Sequence, residues 1–184
     1  MAKVHETVDI PVRYVMGGLA RDSDEPMPAE TRAYIQDQWR KVTAETGATF
    51  NWDFWDFCQP RRSTYPACRA VIAASYQDRL REMFEAIQRA YYQEARNPSD
   101  LSTLQELAEE IGLDAARFAD DVDSDQAEKD LQLGFDLRRS MNANEFPSLI
   151  AFLGDNRIAW LTRGYANEAS VLAGIEELSA GAFD

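Results

Sequence analysis

The sequence predicts an α/β fold: a strand near the N-terminus, a long helical block, a β-hairpin and a closing helix. Three observations carry this. Residues 8–16 alternate roughly and are rich in β-branched and aromatic side chains, the pattern of a strand. From about residue 29 to residue 139, apolar residues return at helical spacing between capping and stop signals. After Asn144 the period shortens, and residues 147–162 read as two apolar runs around the turn signal Gly154-Asp155-Asn156. With 184 residues, 45% of them hydrophobic, the chain can bury a core and hold one domain with an inserted subdomain.

Each element has its own warrant. Pro11 cannot donate to a ladder, so the first strand lies at an edge or starts after it, and Gly17-Gly18 ends it. A helix begins near Ala29, with Ile35, Trp39 and Val42 on one face and Gly47 as its stop. Phe50, Trp52, Phe54, Trp55 and Phe57 follow, dense enough to pack as a core or to cover a groove. Pro66 suits a helix start, and the run from Ala67 to about Glu94 is helical with a break expected near Gln77. Met83, Ile87, Ala90 and Tyr91 share a face. Leu101, Leu104, Ala108 and Ile111 form the next stripe, closed by Gly112. Asp114 caps a short helix over 115–122, and another helix runs from about Asp125 to Arg139. Asn167 caps a last helix with Val171, Leu172, Ile175 and Leu178 facing inward.

Charge and cysteine use remove several classes of function. The chain carries 19 basic and 32 acidic residues, a net charge of −13. Such a surface repels phosphate backbones and anionic lipid, so neither nucleic acid nor a membrane is an expected partner. No apolar run approaches the roughly 18 residues of a spanning helix. Residues 1–9 are polar and lack a secretory apolar region, which points to the cytoplasm. The single histidine is His5, so a Ser-His-Asp triad, a Cys-His pair or a histidine metal site would all depend on that one residue.

The remaining candidates are few. Asp121, Asp123 and Asp125 open like a calcium loop, but Gln126 and Gln132 stand where that loop needs Gly and Glu, so no metal site is expected. Gly17-Gly18 begins no phosphate-binding motif. Cys58 and Cys68, ten residues apart, are the candidate reactive thiols. Cys68 sits in the first turn of a helix near Arg61, Arg62 and Arg69, and the helix N–H groups with these arginines would lower its pKa, while Cys58 lies across a loop, near enough to pair with it; the ordinary expectation is that both are small buried apolar residues. Glu145-Phe146-Pro147-Ser148 is the sharpest feature. A proline that opens an apolar strand leaves the neighbouring peptide free to pair with an extended ligand, and an X-Pro bond in cis would expose that edge.

Taken in order, these pieces resemble the DsbA-like thioredoxin-fold family, and most of all its cytoplasmic FrnE-type branch. The resembling stretches are Val12-Arg13-Tyr14-Val15-Met16-Gly17-Gly18-Leu19, Tyr65-Pro66-Ala67-Cys68-Arg69-Ala70, Ala86-Ile87-Gln88-Arg89-Ala90-Tyr91-Tyr92 and Phe146-Pro147-Ser148-Leu149, spread over about residues 10–178. The resemblance implies a thioredoxin-like core made by residues 1–28 and 141–184, with a helical subdomain inserted over 29–140. It implies thiol–disulfide exchange on thiol- or disulfide-containing proteins or peptides, with no cofactor, and it places the family's cis-proline at Pro147, with Phe146 beside it as substrate-binding residue.

The chain departs from the family in one place. In the family a strand and a Cys-x-x-Cys helix precede the strand that begins here near Val8, and no Cys-x-x-Cys occurs in the 184 residues. Exchange needs an accessible thiolate with a resolving thiol beside it. Little or no redox activity is therefore expected of this chain. The 8–16 strand also lacks its expected neighbour. Three outcomes are open: a start upstream of Met1, a gap filled by a second copy as a homodimer, or a rearranged sheet. Two other functions follow from the same resemblance. One is a non-catalytic module that holds a peptide at the Phe146-Pro147 edge and the aromatic stretch 50–57; the other is a glutathione-dependent isomerase or transferase relative.

Overall fold

The computed structural model describes residues 10–181 except residue 156, in two compact units. One comprises Gly18–Leu133; the other joins residues 10–17 to residues 134–181. Readings that rest on His5, on residues 8 and 9 or on Asn156 lie outside the described residues.

The first unit is helical. It holds α1 (Ala29–Thr46), the short α2 (Phe54–Phe57), α3 (Tyr65–Ser75), α4 (Leu80–Gln93), α5 (Leu101–Glu110), α6 (Ala115–Val122) and the first half of α7 (Asp125–Ser140). Its centre is α3, which packs against α4, α5 and α6. The sequence explains why: Ala70, Val71, Ala73 and Ala74 give α3 small buried side chains, so its neighbours approach closely. They bring Met83, Leu104, Leu107, Phe118 and Val122 into one core, each almost fully buried. Burying a side chain of this size contributes roughly 1.5–3 kcal/mol.

The helix ends follow the local signals. Gly47 and Gly112 take left-handed backbone angles just past α1 and α5, where a Cβ would be strained. The break expected near Gln77 falls over residues 76–79, with Asp78 at φ 58°. The Asp114 carboxylate accepts from the N–H of Arg117 at 3.0 Å and caps α6. Asp125 and Glu128 stand in the first turn of α7, where carboxylates complement the helix dipole.

A second cluster closes the unit at α1. Trp39, Phe54 and Trp55 are buried, with Ile35, Phe50, Tyr91 and Tyr92 packed around them. Trp39 is the hub: the rings of Phe50, Trp52, Phe54, Trp55, Tyr91 and Tyr92 all lie 4.8–6.0 Å from its centroid. The aromatic run is therefore core, except for Phe57, which is 80% exposed, and the half-exposed Trp52, which lies against Arg40. Two further residues of the expected apolar stripes, Val42 and Leu101, are also exposed.

The second unit holds a two-stranded antiparallel sheet, β1 (Leu149–Gly154) and β2 (Arg157–Thr162), with Ile150 opposite Trp160 and Phe152 opposite Ile158. Gly154, the last residue of β1, pairs with Arg157 across the turn, and Gly154 and Asp155 both have positive φ. The last helix, α8 (Glu168–Ser179), packs on β2 and buries Val171. Asn167 caps it by accepting from the N–H of Ser170 at 2.9 Å.

One expected element is corrected. Residues 10–16 form no strand; among the described residues the only sheet is the hairpin. The β-prone composition is real, but a strand exists only when a neighbour accepts its hydrogen bonds. Ile10, Val12 and Val15 accordingly remain exposed. No helix among the described residues is long and apolar enough to cross a membrane.

Candidate functional site

The first site residues lie where α7 hands the chain to β1. Asn142, at φ 55°, ends the helix, and the N–H groups of Met141, Asn142 and Ala143 donate to its last carbonyls. The Phe146–Pro147 peptide bond that follows is cis, as the resemblance implies. Ser148 fixes this segment to the far end of the hairpin: its hydroxyl donates to the carbonyl of Glu145 at 2.7 Å and accepts from the N–H of Gly164 at 3.3 Å. Leu149 N–H donates to the Thr162 hydroxyl at 3.2 Å. Phe146 and Pro147 are both exposed, so an apolar ring and a proline edge face outward from a pinned backbone.

Phe146 is held from two sides. The Arg138 guanidinium stands 6.0 Å from its ring centroid, within cation–π range. On the other side lies Gly17, where an added Cβ would fall 2.5 Å from a ring carbon of Phe146. By sequence Gly17 is only a turn, and Arg138 and Ser148 carry no role. Gly17 meets Phe146, and Ser148 meets Gly164, across long stretches of sequence that no local pattern marks. Gly17→Ala should push the ring away and cost about 1–3 kcal/mol, the usual range for an overpacked contact. Urea denaturation measures the cost, and the shift of the Phe146 ring resonances locates it; unchanged Phe146 resonances would contradict the contact.

Both cysteines belong to the helical unit, and both are free thiols. Cys58 follows α2 and donates its S–H to the Ala95 carbonyl at 3.0 Å. Burial, aided by the negative charge of Asp100, raises its pKa. Cys68 lies in the first turn of α3, its N–H donating to the Thr64 carbonyl at 3.1 Å. The expected lowering of its pKa does not occur. Burial pushes the thiol up to about 11, against smaller opposing effects from the Gly18 N–H and Arg69. The arginines offset little of this desolvation. Arg69 is held by Asp22 at 2.6 Å and Glu128 at 3.3 Å, and Arg61 by Asp100 at 2.8 Å and the Ser99 carbonyl, so their charge is already matched. Both thiols are protonated at neutral pH. Among the described residues no group of three or more His, Cys, Asp or Glu side chains could hold a metal ion.

A hairpin entered through a cis-proline, a capped helix packed on its second strand and a separate helical unit together define a DsbA-type thioredoxin-like fold with a helical insertion. The chain belongs to the thioredoxin family, whose model matches residues 7–163. Its structure is similar to that of a candidate protein disulfide isomerase from Nitrosomonas europaea, at 26% identity and TM-score 0.77, covering 87% of this chain and 79% of that one. It is also similar in fold to the cytosolic disulfide reductase DsbM from Pseudomonas aeruginosa, at 24% identity and TM-score 0.79, covering 97% and 89%. Among curated sequences, the ClpXP adapter protein SpxH of Bacillus subtilis (strain 168) is 29% identical over 121 residues. That match takes in 64% of this chain, and the chain spans 40% of the length of that relative.

Proposed function

We propose that this chain is a relative of the DsbA-like thiol–disulfide oxidoreductases that holds thiol- or disulfide-containing peptides but carries out little or no redox chemistry itself. In this reading Phe146 and Pro147 form the substrate edge. An extended peptide lies beside β1, and its apolar side chain rests on the Phe146 ring held by Arg138 and Gly17. The observation that carries it is the state of the thiols: no Cys-x-x-Cys occurs in the sequence, and burial keeps Cys58 and Cys68 protonated. The resemblance to an adapter protein supports the binding part of the reading. The reading includes a cytoplasmic location of the FrnE type, and residues 1–28 and 141–184 as thioredoxin-like core around an inserted 29–140. A second copy that pairs with the open sheet as a homodimer belongs to the same reading. The glutathione-dependent reading has no residue of its own to support it.

The test measures insulin reduction and peptide binding on the same protein. Turnover should not exceed background. An unfolded-peptide probe should bind equally well to the wild type and to the Cys58→Ser/Cys68→Ser variant, and at least about tenfold more weakly to Phe146→Ala, since an aromatic anchor removed from a small site costs more than about 1.4 kcal/mol. Turnover abolished by either serine substitution would overturn the redox-silent reading. Peptide binding indifferent to Phe146 would overturn the assigned edge.

A further inference from the structure

Arg138 stands beside the Phe146–Pro147 edge with its charge unmatched. It is half-buried in the last turn of α7, and among the described residues no carboxylate pairs with it. Its guanidinium lies 6.0 Å from the Phe146 ring centroid, and Nη1 donates to the Asn144 side-chain oxygen at 3.5 Å. Nε is shut off from solvent with no acceptor. Elsewhere in this acidic chain arginines find acids. Arg69 meets Asp22 and Glu128, Arg96 meets Glu106 and Glu110, and Arg139, next to Arg138, takes Asp136. Glu145, the next acid along the chain, lies against Gly164: its Oε2 falls 3.1 Å from where a Cβ there would stand.

What holds Arg138 is neutral. Asn144 Nδ2 donates to Asn142 Oδ1 at 2.8 Å, which turns the Asn144 oxygen toward the guanidinium. Asn142 in turn is fixed at φ 55° where α7 ends. A guanidinium positioned by amides and a ring keeps its full charge for a further acceptor, whereas one paired with a carboxylate does not. The dipole at the end of α7 favours a cation, but Arg139 meets that need as well. The dipole requires neither the amide relay nor a seat beside Phe146.

From this arrangement we propose that Arg138 selects the peptide: the segment held at the Phe146–Pro147 edge carries an Asp or Glu side chain beside its apolar residue, and that carboxylate pairs with the Nη groups of Arg138. The proposal rests on the peptide-edge reading above and adds to it the class of peptide. Net charge argues the other way, because a chain at −13 attracts basic peptides over a distance. A preference for an acidic peptide therefore marks a local cation.

Fluorescence anisotropy on the whole chain tests this with three peptides, acetylated and amidated at their ends, that share one apolar residue and carry Glu, Gln or Lys beside it. The Glu peptide should bind about tenfold more tightly than the Gln peptide, as a charge-assisted pair implies, and more tightly than the Lys peptide. Arg138→Gln should bring the Glu and Gln peptides within about twofold of each other, and Arg138→Lys should keep part of the preference. Equal binding of Glu and Gln peptides by the wild type overturns the proposal, as does a preference that survives Arg138→Gln. A Gln peptide that matches the Glu peptide once its C-terminus is left free overturns the side-chain assignment in favour of a terminal carboxylate. If all three peptides bind alike and all weaken in Phe146→Ala, the edge stands and the role of Arg138 falls. If none binds, both fall.

Discussion

Iodoacetamide should alkylate Cys68 at pH 7 about a hundredfold more slowly than it alkylates a cysteine in an unstructured peptide. The thiolate is the reactive form, and a thiol raised to about 11 has only about one part in ten thousand ionised at neutral pH. The same desolvation acts on stability. The folded-state pKa lies above the unfolded one, so the protonated thiol contributes stability that is fully present below about pH 9 and is lost as pH rises toward 11. The contribution amounts to roughly 2–3 kcal/mol. Urea denaturation of the wild type and Cys68→Ala at pH 8 and pH 10.5 isolates it, because the other groups that titrate in this range cancel in the difference. A wild type that loses no more stability than the variant over this range, or rapid alkylation in the folded protein, would show that the thiol is not desolvated.

Trp39→Ala should be the most damaging single substitution in the aromatic cluster, at about 3–5 kcal/mol. Trp39 projects from α1 into six neighbouring rings, supplied by residues 50–55 and by the end of α4. Its removal leaves a cavity that those rings cannot close together, and α1 loses its main anchor to the rest of the helical unit. Phe57→Ala is the control: the ring is 80% exposed, and its loss should stay within about 0.5 kcal/mol. Denaturant midpoints for the two variants decide the matter. Similar costs would mean that the cluster is not organised around Trp39.

The helices and their ends are readable in the residues because their causes are local. Gly47, Asp78, Gly112, Asp114 and Asn167 sit within a few positions of the helix ends they set, and the cis bond before Pro147 falls where the resemblance locates it. Residues 10–16 mislead for a reason of the same kind. Composition reports what a segment would do beside a partner strand, and the partner is not part of its local sequence.

The reactivity of Cys68 and the surroundings of Phe146 are not readable in this way. A cysteine in the first turn of a helix, flanked by arginines, looks activated until folding buries the thiol, which outweighs what the paired Arg69 still contributes. Gly17 looks like a turn until the ring of Phe146 arrives against it. By itself, then, the sequence determined the order of the helices and the hairpin, the family and the absence of a Cys-x-x-Cys. The tertiary structure decided which strand forms, which aromatics are core, which charges are already spent and whether a thiol can ionise. The physical reason is that helix periodicity and capping act over a few residues, whereas desolvation, charge pairing and strand partnership depend on groups that only folding brings together.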